Sequence, residues 1–227
     1  MSRTRLVAII PARGGSKSIL NKNMTLIAGR PLIDYTITVA MESDFDEVIV
    51  STDNHRIADF AKSSGCLVRE RPANISHDQS RVVDAVLDVA DNFGLSAGTR
   101  IMVLQPTSPL REAHHVREAI AILPNESSAA VVSVVECEHH PFKTVEIQNR
   151  KIAPTNNFAA LEMSRQTLPK RFRPNGAIYF APLQLTRKSA SLVPVGSVAY
   201  EMSREASLDI DDQFDLQMAE TLLRLRK

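Results

Sequence analysis

Short apolar runs alternate with amphipathic stretches through the first 135 residues, and this alternation limits the possible folds more than any other feature of the sequence. Between residues 80 and 93, Val83, Val86, Leu87 and Ala90 recur at helical spacing and form one apolar stripe. The continuous apolar run 130–135 fits a strand covered on both faces, as a central parallel strand would be. We therefore predict an α/β fold on a Rossmann-like, mostly parallel sheet. The predicted strands of this half are 6–10, 47–51, 66–69, 100–105 and 129–135.

The pattern changes after His139, where prolines interrupt a polar segment with one strand-like piece at 144–148. The composition allows this segment to be an arm for dimer contact or a lid over the site. Strands at 176–180 and 197–201 and a helix over 212–227 then resume the core. We predict a core of residues 1–138 and 175–227 and an inserted arm of residues 139–174. The closing helix carries Phe214, Met218, Leu222 and Leu225 on one side.

The overall charge limits the possible partners. A formal net charge of +1 provides no global field for nucleic acid or an anionic membrane, so any anion site must be local. The N-terminal apolar run is too short for a signal segment or a membrane span. Cys66 and Cys137 lack paired spacing, which predicts a reduced, cytoplasmic protein in which both thiols are small apolar filler.

The loop after the first predicted strand has the composition of a phosphate site. Gly14 and Gly15 let the backbone approach an anion, and Arg13, Lys17 and Lys22 bring positive charge to the same loop. The spacing matches neither the Walker loop nor the dinucleotide fingerprint. An ordinary polar loop between a strand and a helix is an equally good interpretation at this point.

Polar residues also follow the other predicted strands, at the edge where α/β sheets bind ligands. The segments 51–53, 69–71 and 105–108 would complete a rim of nucleotide size. For Thr52 and Asp53, capping of the next helix is the favoured alternative. For Arg71, a surface salt bridge is as good an interpretation as a ligand contact.

Asp209 and Asp211 lie two residues apart, so an extended backbone would project both carboxylates to one face, where they could share a Mg²⁺ ion. The alternative is that Asp211 only caps the last helix. The basic segment 164–179 could recognise an acidic second substrate, or it could be a solvated loop. The adjacent His139 and His140 do not predict a metal site, because side chains that are neighbours on an extended segment point to opposite faces.

Five motifs carry a resemblance to a known family. With these motifs in family order, the chain resembles the CMP-acylneuraminate cytidylyltransferases, also called CMP-sialic acid synthetases, over essentially its whole length. The motifs are IIPARGGSK at 9–17, LQPTSPLR at 104–111, HHPFK at 139–143, RPNGAIY at 173–179 and DID at 209–211.

The resemblance implies a nucleotidyltransferase fold, a homodimer, and an arm that helps complete the sugar pocket of the neighbouring subunit. It also implies that Asp209 and Asp211 hold Mg²⁺ and that Arg13, Lys22 and Asp211 are catalytic. The implied nucleotide-binding residues are Ala12, Arg13, Gly14, Lys22, Asn23, Arg71 and Ser80. The implied sugar-binding residues are Gln105, Thr107, Lys143, Arg165, Arg173 and Tyr179.

The reaction implied by the resemblance is attack of the anomeric hydroxyl of a nonulosonic acid on the α-phosphorus of CTP, which yields the CMP-sugar and pyrophosphate. Legionaminate, pseudaminate or 3-deoxy-manno-octulosonate are alternative acids, and a catalytically silent nucleotide-binding regulator is an alternative of another class. The chain departs from the family loop at Ser18 and Leu20, which stand where glycine and proline are common. It also lacks aromatic residues around 191–193, where an acyl group could be contacted.

Overall fold

The computed structural model describes residues 4–15, 18–123 and 129–226. Lys17, one of the cations predicted for the first loop, lies outside the described residues. The strands are β1 (Leu6–Pro11), β2 (Leu26–Ile27), β3 (Arg30–Pro31), β4 (Glu47–Thr52), β5 (Leu67–Glu70), β6 (Arg100–Val103), β7 (Val131–Glu136), β8 (Val145–Gln148), β9 (Lys151–Pro154), β10 (Phe172–Pro182) and β11 (Val198–Glu201). The α-helices are α1 (Leu32–Met41), α2 (His55–Ser63), α3 (Val82–Asn92), α4 (Ala113–Ile122), α5 (Phe158–Glu162), α6 (Leu183–Ser189) and α7 (Gln213–Leu225).

Within the described residues, the main sheet has seven strands in the order β11-β7-β10-β6-β1-β4-β5. The interior strand β1 pairs in parallel with β4 and β6, so that Ile9 lies between Ile49 and Val103. Within this seven-stranded sheet of the described residues, β10 is the one strand that runs antiparallel to its neighbours. The prediction of an α/β fold with a mostly parallel sheet is confirmed.

The alternation along β1 explains why both faces of the sheet are covered. Ala8 and Ile10 pack into one core cluster with α1, α2 and α4, whereas Val7 and Ile9 pack into another with α3 and α6. Successive side chains of a strand point to opposite faces, so a continuous apolar run supplies both layers.

The neighbours of β7 differ from the sequence expectation. The run 130–135 is buried as predicted, but its strand is parallel to β11 and antiparallel to β10. Burial on both faces reports the layers above and below the strand, and it carries no information on the direction of the adjacent strands.

The segment 139–174 leaves the main sheet, as the prolines predict. The strands β8 and β9 form a separate hairpin, and Ile147, Ile152 and Phe158 expose much of their side chains. Its last residues return to the main sheet earlier than predicted, because Phe172 already pairs with Glu136.

The apolar side predicted for the last helix, which carries Phe214, Met218, Leu222 and Leu225, is not the side that packs against the core. On α7 the buried residues are Leu216 and Ala219, whereas Phe214, Met218 and Leu225 are exposed. The helix has apolar residues on more than one side, so periodicity alone could not identify the packed side. Among the described residues, no helix is long and apolar enough to cross a membrane.

Candidate functional site

Two adjoining cavities lie at the carboxyl ends of the central strands. The smaller, of about 180 Å³, is bounded by the loop after β1, by Arg71 and Ser80, and by the turn after β6. The larger, of about 920 Å³, is bounded by Arg173, by Asp209 and Asp211, and by one side of α7. The residues lining the smaller cavity are Pro11, Arg13, Gly15, Lys22, Asn23, Arg71, Ser80, Arg81, Val82, Gln105, Pro106 and Thr107.

The structure brings together most of the predicted nucleotide-binding residues. Arg13, Lys22, Asn23, Arg71 and Ser80 all line the smaller cavity. Asn23 is buried and donates a hydrogen bond from Nδ2 to the carbonyl of Arg13 (2.9 Å), which fixes the course of the loop. The loop therefore presents Arg13 and Lys22 toward one space.

Gly14 turns the loop against the start of α2. A Cβ atom at this position would lie 2.7 Å from Cβ of Asn54, so only glycine fits. The backbone N–H of Gly14 donates to Oδ1 of Asp53 (2.7 Å). Asn54, and not Asp53, caps α2 by accepting from Arg56 and Ile57. The predicted capping role of Asp53 was therefore wrong: its carboxylate holds the glycine loop.

Two arginines of this rim are held by further contacts. Arg13 forms an ion pair with Asp78 (2.6 Å), a residue that the sequence analysis missed. Arg71 donates to the carbonyl of Ser51 (2.8 Å), and its burial lowers the pKa of its guanidinium, so it is not a surface salt bridge. Arg69 pairs through two nitrogens with Asp88 of α3 and does not line the cavity.

Asp209 lies where the two cavities meet. It lines the larger cavity and is hydrogen-bonded to Thr107, which lines the smaller one. Its Oδ1 atom is buried without a hydrogen-bond partner. Burial raises the pKa of the Asp209 carboxyl, the hydrogen bond from Thr107 lowers it, and the charge of Asp211 raises it further. A buried carboxylate oxygen with an open coordination position suits a cation.

Lys22 connects the loop after β1 to the aspartate pair. Its Nζ donates to the carbonyl of Ile210 (2.7 Å), which lies between the two aspartates, and the N–H of Ile210 donates to the carbonyl of Thr107 (2.9 Å). Three segments that are distant in sequence are thereby joined at one point.

Asp211 does not cap α7. Asp212 is the cap residue and forms a capping box with Asp215, while the exposed side chain of Asp211 lines the larger cavity. Among residues 4–15, 18–123 and 129–226, no group of three or more His, Cys, Asp or Glu side chains could hold a metal. Two carboxylates, with water and phosphate oxygens for the remaining positions, are nevertheless the usual protein share of a Mg²⁺ site, so Asp209 and Asp211 fit that ion.

The predicted sugar-binding residues are spread over several places. Arg173 lines the larger cavity, whereas Gln105 and Thr107 line the smaller one. Tyr179 is partly buried, and burial together with the nearby charge of Asp209 raises the pKa of its hydroxyl. Lys143 and Arg165 are exposed and line neither cavity.

Arg165 instead contacts the strand beside the site. Its guanidinium donates to the carbonyl of Cys137 (2.9 Å) and lies 3.9 Å from Glu136. In the HHPFK motif, His140 holds the backbone: it accepts from the N–H of Phe142 and bonds the carbonyl of Pro169, whereas His139 lines the larger cavity.

The backbone at Gly176 approaches the site closely. Gly176 has φ +77°, and a Cβ atom there would lie 3.0 Å from Oε1 of Gln105 and 3.7 Å from Oδ2 of Asp209. Glycine therefore allows β10 to pass directly beside the aspartate pair.

Arg111 is a supporting residue that sequence reasoning quoted in a motif but did not single out. It is fully buried and donates to the carbonyls of Gln105 (3.1 Å) and Ala177 (2.9 Å) and to the hydroxyl of Thr36 (2.7 Å). It therefore ties the turn after β6 to β10 beneath the site. Its position at the end of the LQPTSPLR motif was the available signal, but burial cannot be read from a motif.

Comparisons with known proteins give a consistent picture. The family model described as cytidylyltransferase matches residues 7–226. An N-acylneuraminate cytidylyltransferase of Streptococcus agalactiae serotype III is 33% identical over 92% of this chain and 51% of that protein, and one of Escherichia coli O18:K1:H7 is 33% identical over 97% and 52%. The chain thus spans about half the length of these relatives. A CMP-N,N'-diacetyllegionaminic acid synthase of Legionella pneumophila is 33% identical over 98% of both chains.

Solved structures are similar in fold. A CMP:2-keto-3-deoxy-manno-octonic acid synthetase complexed with CTP superposes with a TM-score of 0.73 at 16% identity, covering 99% of this chain and 100% of that one. A 4-diphosphocytidyl-2C-methyl-D-erythritol synthase gives 0.69 at 10% identity, covering 97% and 100%. At these identities the likeness supports the fold alone.

Proposed function

The chain belongs to the cytidylyltransferase family, together with the N-acylneuraminate cytidylyltransferases, and we propose that it transfers the cytidylyl group of CTP to a nonulosonic acid. The observation that carries this proposal is the bond from Lys22 to the carbonyl of Ile210, because it joins the phosphate loop to the aspartate pair at the meeting point of the two cavities. The nucleotide would occupy the smaller cavity and the acidic sugar the larger one.

The chemistry needs positioning and charge more than a protein nucleophile. The anomeric oxygen of the sugar forms a bond to the α-phosphorus while the bond from that phosphorus to the bridging oxygen breaks, and pyrophosphate leaves with the electron pair. The proton of the sugar hydroxyl is released to solvent. Arg13 and Lys22 would bind the phosphates and stabilise their charge in the transition state.

Asp209 and Asp211 would hold a Mg²⁺ ion, whose chemistry when bound is to neutralise and orient phosphate oxygens. The unpartnered Oδ1 atom of Asp209 supports this role. Arg173, at the same end of the larger cavity, would bind the carboxylate of the sugar.

The identity of the acid is the finer part of the proposal. An N-acylneuraminate and a diacetylated legionaminate are the two candidates, and the second is favoured by the relative that matches over almost its entire length. Purified protein would be incubated with CTP, Mg²⁺ and a panel of nonulosonic acids, and pyrophosphate release would be followed together with mass spectrometry of the nucleotide. A CMP-sugar peak is expected for at least one acid.

A matched pair of variants tests the site. Lys22→Met should lose most of the turnover, whereas Lys62→Met, which changes a lysine at the end of α2, should keep it. If CTP binds in a titration but no acid of the panel is converted, the chain is a nucleotide-binding regulator and the transferase proposal fails.

We further propose that the chain forms a homodimer through the arm. Ile147, Ile152 and Phe158 expose apolar surface on this segment, and such surface is usually covered by a partner. Ile147→Asp should shift the sedimentation of the protein from dimer to monomer, and Gln148→Asp on the same strand should not. An unchanged dimer in both variants would place the interface elsewhere.

A further inference from the structure

The exposed apolar side of α7 faces the larger cavity. Phe214, Met218 and Leu222 line it, and the side chains of Phe214 and Met218 are 67% and 41% exposed. The opposite side of the helix packs through Leu216 and Ala219 against the core. One wall of a cavity with many charged lining residues is therefore apolar.

The cavity is divided by polarity. Beside the apolar wall of α7, its charged lining residues are Glu138, Arg173, Arg204, Glu205, Asp209, Asp211 and Asp215. Arg204 pairs with Glu138 and Glu205 pairs with Arg226, whereas the charge of Arg173 acts on Asp209. A ligand that carries an acidic group for Arg173 and an apolar substituent for the wall of α7 matches this lining. The cavity volume of about 920 Å³ leaves room for more than a bare carboxylate.

On the basis of the proposed function, we propose that Phe214 and Met218 contact the acyl substituent of the nonulosonic acid and so determine which acids are used. The acyl methyl group is the most apolar part of such a sugar, and its burial against Phe214 would favour acylated acids over those that carry a hydroxyl there. The segment 191–193 lacks aromatic residues, and this wall supplies an aromatic contact from another part of the chain.

The test compares kcat/KM for three acids: N-acetylneuraminic acid, N,N'-diacetyllegionaminic acid and a deaminated nonulosonic acid without an acyl group. Phe214→Ala and Met218→Ala should each lower kcat/KM for the two acylated acids by about tenfold, the discrimination that a small apolar contact provides. For the deaminated acid the value should stay within about twofold, and the KM for CTP should not change. Leu225→Ala is the control, since Leu225 is 78% exposed on the same helix and does not line the cavity.

Two results would overturn the inference. An equal loss for all three acids would mean that the wall only supports the fold or the site in general. A change in the dimer dissociation constant of Phe214→Ala, measured by sedimentation, would mean that a second copy of the chain covers this face.

Calorimetric binding of the acids separates this inference from the proposed function. If the acids bind but are not converted, weaker binding of the acylated acids by Phe214→Ala still supports the wall. If none of the three acids binds to the unmodified protein, both proposals fail.

Discussion

Replacing Asp209 by asparagine should stabilise the ligand-free protein while it removes activity. In the metal-free protein, burial raises the pKa of the Asp209 carboxyl, and Oδ1 has no hydrogen-bond partner, so the ionised side chain is a cost to folding. Asparagine keeps the bond with Thr107 and removes the charge. An unpartnered buried polar group costs about 1–3 kcal/mol, and we expect a gain of about 1 kcal/mol, because the new amide nitrogen would itself lack a partner.

The gain should appear in thermal unfolding followed by circular dichroism in the presence of EDTA. For a chain of this size, about 1 kcal/mol corresponds to a Tm rise of about 2–4 °C. Asp211→Asn is the matched control: Asp211 is exposed, so its substitution should change the free energy of unfolding by less than about 0.5 kcal/mol. Both variants should lose turnover by about 100-fold or more, as expected when charge stabilisation of the transition state is removed.

The pH dependence gives an independent check of the cause. Because the pKa of Asp209 is raised in the folded protein, the wild type is penalised at pH values above that pKa, where the buried carboxyl is ionised. The penalty disappears as the pH falls through the raised pKa toward the ordinary value of about 3.9. The Tm difference between Asp209→Asn and wild type should therefore be largest near neutral pH and shrink in acid.

A lower Tm for Asp209→Asn than for wild type near neutral pH, in EDTA, would refute this reasoning. It would show that the carboxylate stabilises the fold through its attraction to Lys22 and Arg173, whose charges lower its pKa, and that burial is not the dominant effect.

Three further outcomes are expected. Asp78→Asn should lower the KM for CTP by up to about fivefold in steady-state kinetics, because a partly exposed ion pair worth about 0.2–1 kcal/mol no longer competes with CTP for Arg13. A higher KM would contradict this competition. Arg111→Lys should lower the free energy of unfolding in urea by about 2 kcal/mol, because lysine cannot reproduce the forked bonds of the buried guanidinium. An unchanged urea midpoint of unfolding would exclude a stabilising role for these bonds. N-ethylmaleimide near pH 7 should label Cys137 and spare Cys66, since burial raises the pKa of the Cys66 thiol to about 11. Mass spectrometry should find one label on the native protein and two on the unfolded protein.

The local sequence was sufficient for the elements and for the general location of the site. The continuous apolar run of β1 predicted a strand, and the apolar stripe of α3 predicted a helix. Both could be predicted because the periodicity of apolar residues is visible in neighbouring positions of the sequence. The glycine pair and the spacing of Asp209 and Asp211 predicted groups that the structure does place at one edge of the sheet. That edge follows from parallel topology, since the carboxyl ends of parallel strands meet there.

The sequence alone therefore determined the layered α/β architecture and the chemical character of the site, because both depend on periodicity and on residue type. Only the tertiary structure decided the direction of β10, the exposed side of α7 and the partners of the loop cations. Arg13 pairs with Asp78, which lies 65 residues away in the sequence, and Lys22 donates to the carbonyl of Ile210, which lies 188 residues away. These contacts therefore depend on how distant segments pack. Asp53 shows the same limit within one motif: its position before a helix suggested a cap, but the closeness of Gly14 after folding gave its carboxylate a different backbone N–H to bind.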